Sequence, residues 1–427
     1  MRRILKRFTG LFCVLALCLS MLPVSALAAE DAPSNQPTTL LSDDNVAKIE
    51  ENEYPTLDEA VEAAEDGATI ELLADATTKG WNLTKSLTIT SAPDLAEKPT
   101  VTFEKDGIAL WGKTLTFKGI DVVMNGVGST PYGEWTWMTI CASKDAVLAL
   151  DNVNMTMDAT GSTGSPHAIY FCSNNKLNLT NGSVLTIKNY PNDALEWDGG
   201  DGGYNVNITN STFISDHNRS GFTGTFYATI TNSKVDVVNS LGNGSNGSHF
   251  IIEDSEVNFN NNGSHGLSAG ELSIDNSTVN TKNNNGMGIT VNNAFTVENG
   301  SIVTVTGNAG NSSYGYAAVR LYNDYPFTVD STSELYIEDN NNTGLYVRQG
   351  NLTVEDGAVL KITGNKVSHS LLDGYGGGIY VGYGNNYDPA VILPADAIIC
   401  NNHALVAGDD IYVSCLLYTS PSPRDTR

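Results

Sequence analysis

The stretches Phe250-Ile-Ile-Glu-Asp-Ser-Glu-Val-Asn-Phe259 and Leu272-Ser-Ile-Asp-Asn-Ser-Thr-Val-Asn280 are two copies of one repeat. Related copies begin at residues 206, 228 and 295, so five consecutive starts are separated by 22, 22, 22 and 23 residues. A repeat with a fixed period of this size is the sequence signature of a solenoid, in which each repeat forms one turn of chain.

Within each repeat, apolar and polar residues alternate over two short runs, which indicates strands rather than helices. Asn-Ser, Asp-Ser or Asn-Gly separates the runs, and Asn and Gly adopt positive φ at low cost, which suits a sharp bend. A third run precedes each pair, as in Gly288-Ile-Thr-Val291. The sequence therefore predicts an all-β fold, a single-stranded right-handed parallel β-helix with three strands per coil and about twelve coils. A leucine-rich repeat has a similar period but requires an L-x-x-L-x-L-x-x-N pattern that does not fit these repeats.

Asparagines recur after the last strand of successive repeats. They form clusters at 260–262, 283–285 and 340–342 and stand singly at Asn189, Asn308 and Asn365. This recurrence predicts a stacked asparagine ladder, in which side-chain amides bond from coil to coil.

Residues 45–73 are expected to form an N-terminal cap and the first strand of the β-helix domain, which extends over 45–414. Within this segment Thr56 and Glu59 have the spacing of a capping box. Leu57, Ala60 and Val61 lie on one face of the helix that follows. A short amphipathic helix at this position would cover the open apolar end of the first coil.

Both ends of the chain differ in composition from the repeats. Residues 1–28 combine a basic start, a 12-residue apolar stretch from Leu11 to Leu22 and the small-residue motif Ala26-Leu-Ala28, which predicts a signal peptide and export. The apolar stretch is too short for a transmembrane helix. Residues 29–44 are rich in Pro and Thr and indicate a flexible leader. Residues 415–427 resemble a translated sequencing adapter, so the natural sequence is expected to depart from this one after Ser414.

The net charge of −25 at pH 7 excludes nucleic acid and anionic lipid as expected partners, because such a surface repels polyanions. Between residues 29 and 414 there are only three arginines, Arg219, Arg320 and Arg348. Cys141 and Cys172 lie at similar positions of neighbouring repeats. They could form a disulfide in an exported protein or serve as small buried side chains, and the sequence leaves both alternatives open.

The segments YPTLDEAVEAAEDGATIELL at 54–73 and LTKSLTIT at 83–90 resemble the opening of right-handed parallel β-helix proteins of the pectin-lyase-like superfamily. The resemblance extends over about residues 54–414. Near its end, GGGIYVG at 376–382 and IICNNHALVAGDDIY at 398–412 are similar to the repeats of bacterial outer-membrane adhesins. This resemblance implies a bacterial surface protein of adhesin type, although the superfamily also contains lyases, hydrolases and tailspikes.

Three functions follow from this reading. The first is an exported bacterial cell-surface protein, secreted or surface-attached, that contacts glycans of a host or plant surface and requires no cofactor. The second is a polysaccharide lyase or another carbohydrate-active enzyme. The third is a structural stalk for a further C-terminal domain.

If the protein is a lyase, the candidate metal-binding residues are the acidic cluster of Asp193, Glu196, Asp198 and Asp201. Calcium-dependent lyases of this fold hold Ca²⁺ on the substrate uronate with carboxylates. Strand alternation turns Leu195 inward and Glu196 outward, so carboxylates could face one ion. Calcium is therefore the candidate cofactor, and an acidic surface loop without an ion is the simpler interpretation.

The binding alternative rests on three late strands. Alignment of Val319-Arg-Leu-Tyr322, Leu345-Tyr-Val-Arg348 and Ile379-Tyr-Val381 on their apolar residues places polar side chains outside. The resulting candidate ligand-binding residues are Arg320, Tyr322, Tyr346, Arg348 and Tyr380. Phenol rings pack against sugar faces and guanidinium groups pair with carboxylates, which suits an acidic glycan. Arg–Tyr stacking that only stabilises a sheet would give the same pattern.

Overall fold

The computed structural model describes residues 45–128, 137–172, 174–198, 204–308, 317–367, 374–382 and 389–414. In these ranges the chain forms a right-handed parallel β-helix with three sheets and one short helix, as the repeat predicts. This is the hand of nearly all crossovers between parallel strands of one sheet. The proposed signal peptide 1–28, the leader 29–44 and the segment 415–427 lie outside the described residues.

Each coil contributes one strand to each of three sheets. Sheet 1 contains the strands that open the repeats: Ala68–Leu72, Leu87–Ser91, Thr114–Lys118, Val147–Asp151, Lys176–Thr180, Tyr204–Thr209, Tyr227–Thr231, Ser248–Glu253, Leu267–Asp275, Phe295–Glu298, Pro326–Val329, Asn351–Val354 and Val391–Ile392. Sheet 2 contains the strands that follow the bend: Ala76–Thr78, Thr100–Phe103, Asp121–Asn125, Asn154–Asp158, Val184–Lys188, Thr212–Asp216, Lys234–Val238, Glu256–Asn260, Thr278–Lys282, Ile302–Thr306, Glu334–Glu338, Val359–Thr363 and Ile398–Cys400.

Sheet 3 completes each coil. Its strands are Trp81–Leu83, Ile108–Trp111, Met138–Ser143, His167–Cys172, Leu195–Asp198, Phe222–Gly224, Ser245–Asn246, the first residues of Leu267–Asp275, Ile289–Val291, Ala317–Leu321, Thr343–Val347, Ile379–Val381 and Ile411–Val413. The nine-residue strand Leu267–Asp275 pairs with Ile289–Val291 and also with Phe295–Glu298, so it joins sheet 3 to sheet 1.

The repeat starts read from the sequence are the register partners in sheet 1. Val206, Ala228, Phe250, Leu272 and Phe295 follow one another as parallel Cα partners. Each is at most 1% exposed, and burial of such an apolar side chain contributes about 1.5–3 kcal/mol for the larger members. The period of about 22 residues is therefore the length of one coil.

The number of coils differs slightly from the expected twelve, because sheet 2 has 13 strands among the described residues. The count of twelve begins at Leu87 and leaves out the first strand that the sequence predicts within residues 45–73. In the structure Ala68–Leu72 already pairs in register with Leu87–Ser91, so the last part of the cap segment is the first rung.

The bend between sheets 1 and 2 explains the Asn-Ser and Asp-Ser pairs of the sequence. Asn232, Asp254 and Asn276 adopt positive φ, from 44° to 50°. The serine after each turns inward and stacks with its equivalents: Ser233 N donates to Ser255 Oγ, and Ser255 N donates to Ser277 Oγ, both at 3.0 Å. The first residue of each pair therefore makes the bend, and the second satisfies a buried N–H of the previous coil.

The predicted asparagine ladder lies between sheets 2 and 3. Its described asparagines are Asn218, Asn262, Asn284, Asn308, Asn340, Asn365 and Asn402, each buried. Asn284 shows the pattern: its Oδ1 accepts from the backbone N and from Nδ2 of Asn262, both at 2.9 Å. Its Nδ2 donates to Phe259 O and to Asn308 Oδ1, both at 2.8 Å.

The assignment of Asn189 to this ladder is wrong. Asn189 is exposed, has a φ of 62° and donates to Asp158 Oδ1 at 2.9 Å. The next residue, Tyr190, occupies the ladder position, and its backbone N donates to Asn218 Oδ1 at 2.9 Å. Asn189 is therefore the turn residue that precedes the ladder position.

The N-terminal cap contains the helix Leu57–Ala63, whose N-cap Thr56 accepts a hydrogen bond from Glu59 N at 3.2 Å. No described helix is long and apolar enough to cross a membrane. Two short strands that the sequence pattern missed, Ala47–Ile49 and Asn52–Tyr54, pair antiparallel with each other. Ala47–Ile49 also pairs antiparallel with Ala68–Leu72, so it closes the hydrogen-bonding edge of the first rung.

Candidate functional site

Sheet 3 brings His167, Asp193 and Glu196 together from two successive coils. His167 is the first residue of the strand His167–Cys172. In the next coil, Asp193 lies two residues before the strand Leu195–Asp198, and Glu196 is the second residue of that strand. Ala168 N donates a hydrogen bond to Asp193 O at 3.1 Å, and this bond sets the register between the two coils. The alternation of the strand then turns Glu196 outward beside His167.

The side chains of this cluster are close and largely shielded from water. His167 Nδ1 lies 2.5 Å from Glu196 Oε2 and 3.9 Å from Asp193 Oδ2. The side chains of His167, Asp193 and Glu196 are 11%, 6% and 23% exposed. His167 Nδ1, Asp193 Oδ1 and Glu196 Oε2 have no hydrogen-bond partner among the described residues. The short His167–Glu196 contact therefore lacks hydrogen-bond alignment.

The electrostatics of the cluster favour a cation. Burial raises the pKa of Asp193, and the charge of Glu196 raises it further. A hydrogen bond from Ser220 and the charges of His167 and Arg219 lower it, but the pKa of Asp193 stays above the ordinary range. A positive charge placed between the two carboxylates would relieve both the desolvation and the repulsion.

The structure brings only two of the four predicted calcium ligands together. Asp193 and Glu196 belong to the cluster. Asp198 Oδ2 instead accepts a hydrogen bond from the hydroxyl of Tyr170 at 2.7 Å, and burial together with this bond raises the pKa of Tyr170. Asp201 lies outside the described residues. The sequence reasoning missed His167, which precedes the acidic segment by one coil. Alignment of consecutive repeats on Ile169 and Leu195 would have placed it opposite Asp193.

The two cysteines beside this cluster are free thiols. Cys141 is the register partner of Tyr170, and Cys172 is the register partner of Asp198, so the two cysteines are not opposite each other. Burial raises the pKa of the Cys141 thiol to about 12. Of the two alternatives left open by the sequence, the structure shows free thiols, with Cys141 buried and Cys172 partly buried.

The five candidate ligand-binding residues lie together on sheet 3 near the C-terminal end of the described chain. Arg320, Tyr346 and Tyr380 are consecutive register partners, and Tyr412 continues the column by one further coil. Arg348 N donates to Leu321 O at 2.9 Å, which places Arg348 in a second column beside Tyr322. We call these residues, Arg320, Tyr322, Tyr346, Arg348, Tyr380 and Tyr412, the Arg–Tyr surface.

The rings and guanidinium groups of the Arg–Tyr surface are in contact. The Cζ atoms of Arg320 and Arg348 lie 4.2 and 4.0 Å from the ring centroid of Tyr322. The centroids of Tyr346 and Tyr380 are 5.2 Å apart, and those of Tyr380 and Tyr412 are 5.4 Å apart. Tyr412 was missed in the sequence, although Ile411-Tyr-Val413 repeats Ile379-Tyr-Val381.

A glycine keeps part of this surface open. A Cβ at Gly382 would lie 2.8 Å from Cε2 of Tyr346 and 3.2 Å from Cε1 of Tyr380. A side chain at this position would therefore force the Tyr346 ring to shift and would press against the Tyr380 ring. All six residues of the surface are half-buried, so each has a contact with its neighbours and a part that faces solvent.

No family model, curated protein or solved structure matches the chain. The resemblance of residues 54–90 to pectin-lyase-like proteins therefore rests on the sequence pattern and on the parallel β-helix fold that the structure displays. Because that fold hosts unrelated functions, the function has to be argued from the side chains on its surface.

Proposed function

We propose that this protein is an exported, glycan-binding protein of the bacterial cell surface and that the Arg–Tyr surface contacts acidic glycans of a host or plant. The observation that carries the proposal is the column of Arg320, Tyr346, Tyr380 and Tyr412 on four successive coils. Tyr322 and Arg348 stand beside it. Arg320 and Arg348 are two of the three arginines between residues 29 and 414.

The chemistry of this surface matches a sugar that carries a carboxylate. Tyrosine rings present apolar area to the C–H faces of a sugar ring, with little loss of side-chain entropy on binding. Arginine pairs with carboxylates through two parallel hydrogen bonds. Contact with the Tyr322 ring holds both guanidinium groups in place before a ligand arrives, which reduces the ordering cost of binding.

The geometry suits a polymer better than a small molecule. Strands of successive coils are about 4.8 Å apart, so the column offers similar contacts at regular intervals along the rod. The overall charge of −25 repels a polyanion, and the arginines supply a local site where a carboxylate can be neutralised. We therefore expect selective binding at this surface and weak affinity for acidic polymers elsewhere on the protein.

A glycan array tests this proposal. We expect the wild-type protein to bind uronate- or sialate-containing glycans, and the double variant Arg320→Ala, Arg348→Ala to lose at least tenfold in affinity, or about 1.4 kcal/mol. The matched control is Arg219→Ala, which removes the remaining arginine of residues 29–414, an exposed residue in the turn before the strand Phe222–Gly224. It should bind as the wild type does.

Two outcomes would contradict the proposal: binding that survives in a double variant with an unchanged melting temperature, or no acidic-glycan binding by the wild-type protein. The array also separates the alternatives that share this fold. A stalk binds no glycan, whereas a polysaccharide lyase consumes the acidic glycan that it binds.

A further inference from the structure

Three buried atoms on three neighbouring side chains lack hydrogen-bond partners among the described residues: His167 Nδ1, Asp193 Oδ1 and Glu196 Oε2. One donor atom from each residue lies within 4.8 Å of the others. We propose that His167, Asp193 and Glu196 form a binding site for a divalent transition-metal ion of the Zn²⁺ class. The site is separate from the Arg–Tyr surface and does not depend on the glycan-binding proposal.

A metal ion accounts for the contacts better than an ion pair does. Buried polar atoms are nearly always hydrogen-bonded, so three such atoms that converge without partners need a common explanation. An ion pair between His167 and Glu196 would explain two of them and would leave Oδ1 of Asp193, whose side chain is 6% exposed, without a partner. One cation bound by all three side chains would compensate the buried carboxylate of Asp193 as well as the His167–Glu196 pair.

The distances are compatible with such a site. Zn²⁺ binds imidazole nitrogen and carboxylate oxygen at about 2.0–2.2 Å, which places the ligand atoms of a tetrahedral site about 3.4 Å apart. The observed separations of 2.5 Å from His167 Nδ1 to Glu196 Oε2 and 3.9 Å from His167 Nδ1 to Asp193 Oδ2 lie on either side of this value. Binding of the ion would require rotation of the Glu196 and Asp193 side chains toward this separation.

The ligand set selects the class of ion. Ca²⁺ takes six to eight oxygen ligands, whereas this cluster offers one nitrogen and two carboxylates. Imidazole nitrogen favours Zn²⁺ and its neighbours among the transition metals. Three protein ligands also leave the fourth position of a tetrahedral site open to water or to an anionic group of another molecule. The imidazole of His167 therefore changes the assigned ion of this site from calcium to a transition metal.

Binding of Co²⁺ to the purified, chelator-treated protein tests this inference, because visible absorption of Co²⁺ reports its coordination directly. In excess Mg²⁺ and Ca²⁺ we expect one tight site per chain, with Co²⁺ displaced by Zn²⁺. His167→Gln and Glu196→Gln should each weaken binding at least tenfold. The matched control is His217→Gln: His217 Nδ1 lies 2.6 Å from Asp216 Oδ1 as an exposed pair, and its substitution should leave the spectrum unchanged.

Thermal unfolding separates a lost site from a lost fold. The wild-type melting temperature should rise with Zn²⁺, because a ligand that binds only the folded state stabilises it, and the Glu196→Gln protein should show no such rise. Identical Co²⁺ spectra for wild type and both variants would overturn the site. Displacement of Co²⁺ by stoichiometric Ca²⁺ would overturn the assignment of the metal class.

Discussion

Deletion of residues 54–67 is expected to expose the first coil and to cause the protein to aggregate. Leu57 and Ala60 of the cap helix are fully buried against the solenoid. The carboxylate of Asp58 accepts hydrogen bonds from Thr78 Oγ1 at 2.5 Å and from Trp81 Nε1 at 3.1 Å, so the helix is attached to the first coil by polar as well as apolar contacts. Without it, the apolar end of the coil faces water and another chain can stack on it.

Light scattering and thermal unfolding of the truncated protein test this expectation. Deletion of residues 29–44 is the matched control, because this segment lacks the repeat and its removal should leave the protein monomeric. The substitution Asp58→Ala should lower thermal stability without aggregation, since it removes the polar contacts and keeps the apolar cover. A protein without residues 54–67 that stays monomeric and equally stable to heat would show that the helix is not a cap.

Replacement of Asn284 by alanine is expected to destabilise the middle of the β-helix by roughly 2–5 kcal/mol. The asparagine side chain is 1% exposed and takes part in hydrogen bonds to the coils on both sides. Its removal leaves the backbone N of Asn262 and the carbonyl of Phe259 without these partners in the interior. A buried group left unpaired costs about 1–3 kcal/mol.

The adjacent residue supplies a matched control. Asn285 is exposed and lies in the same turn, and neither Asn284 nor Asn285 has positive φ, so alanine strains the backbone at neither position. We expect guanidinium unfolding to shift to lower denaturant for Asn284→Ala and to stay near the wild-type midpoint for Asn285→Ala. Equal midpoints for the two variants would contradict a stabilising ladder.

The fold could be predicted from the sequence because the side-chain pattern repeats at the length of one coil. Alternation identified the inward residues, and alignment of inward residues placed Arg320, Tyr346 and Tyr380 in one column, as the register shows. The Asn-Ser pairs marked the bends because only a few residue types accept positive φ at low cost. Periodic features of this kind need no knowledge of distant contacts.

The features that the sequence did not reveal depend on unequal loops or on pairing outside the repeat. His167 and Asp193 are 26 residues apart, so the regular period of about 22 residues does not align them. The antiparallel strands Ala47–Ile49 and Asn52–Tyr54 pair with each other, and Ala47–Ile49 pairs with the first rung, but neither strand is part of the repeat. The ladder position of this coil holds Tyr190 and not an asparagine, so the sequence pattern pointed to the neighbouring Asn189.

The most direct test of the account is calorimetric titration of the wild-type protein with an acidic oligosaccharide and with its methyl ester, which keeps the sugar faces and removes the carboxylate charge. If the arginines and tyrosines of the Arg–Tyr surface act together, the acid should bind with measurable heat, and the ester should bind at least tenfold more weakly but still depend on Tyr346 and Tyr380. The Arg320→Ala, Arg348→Ala protein should bind acid and ester equally. Equal affinity of the wild-type protein for acid and ester, or heat for neither, would contradict an acidic-glycan site on this surface.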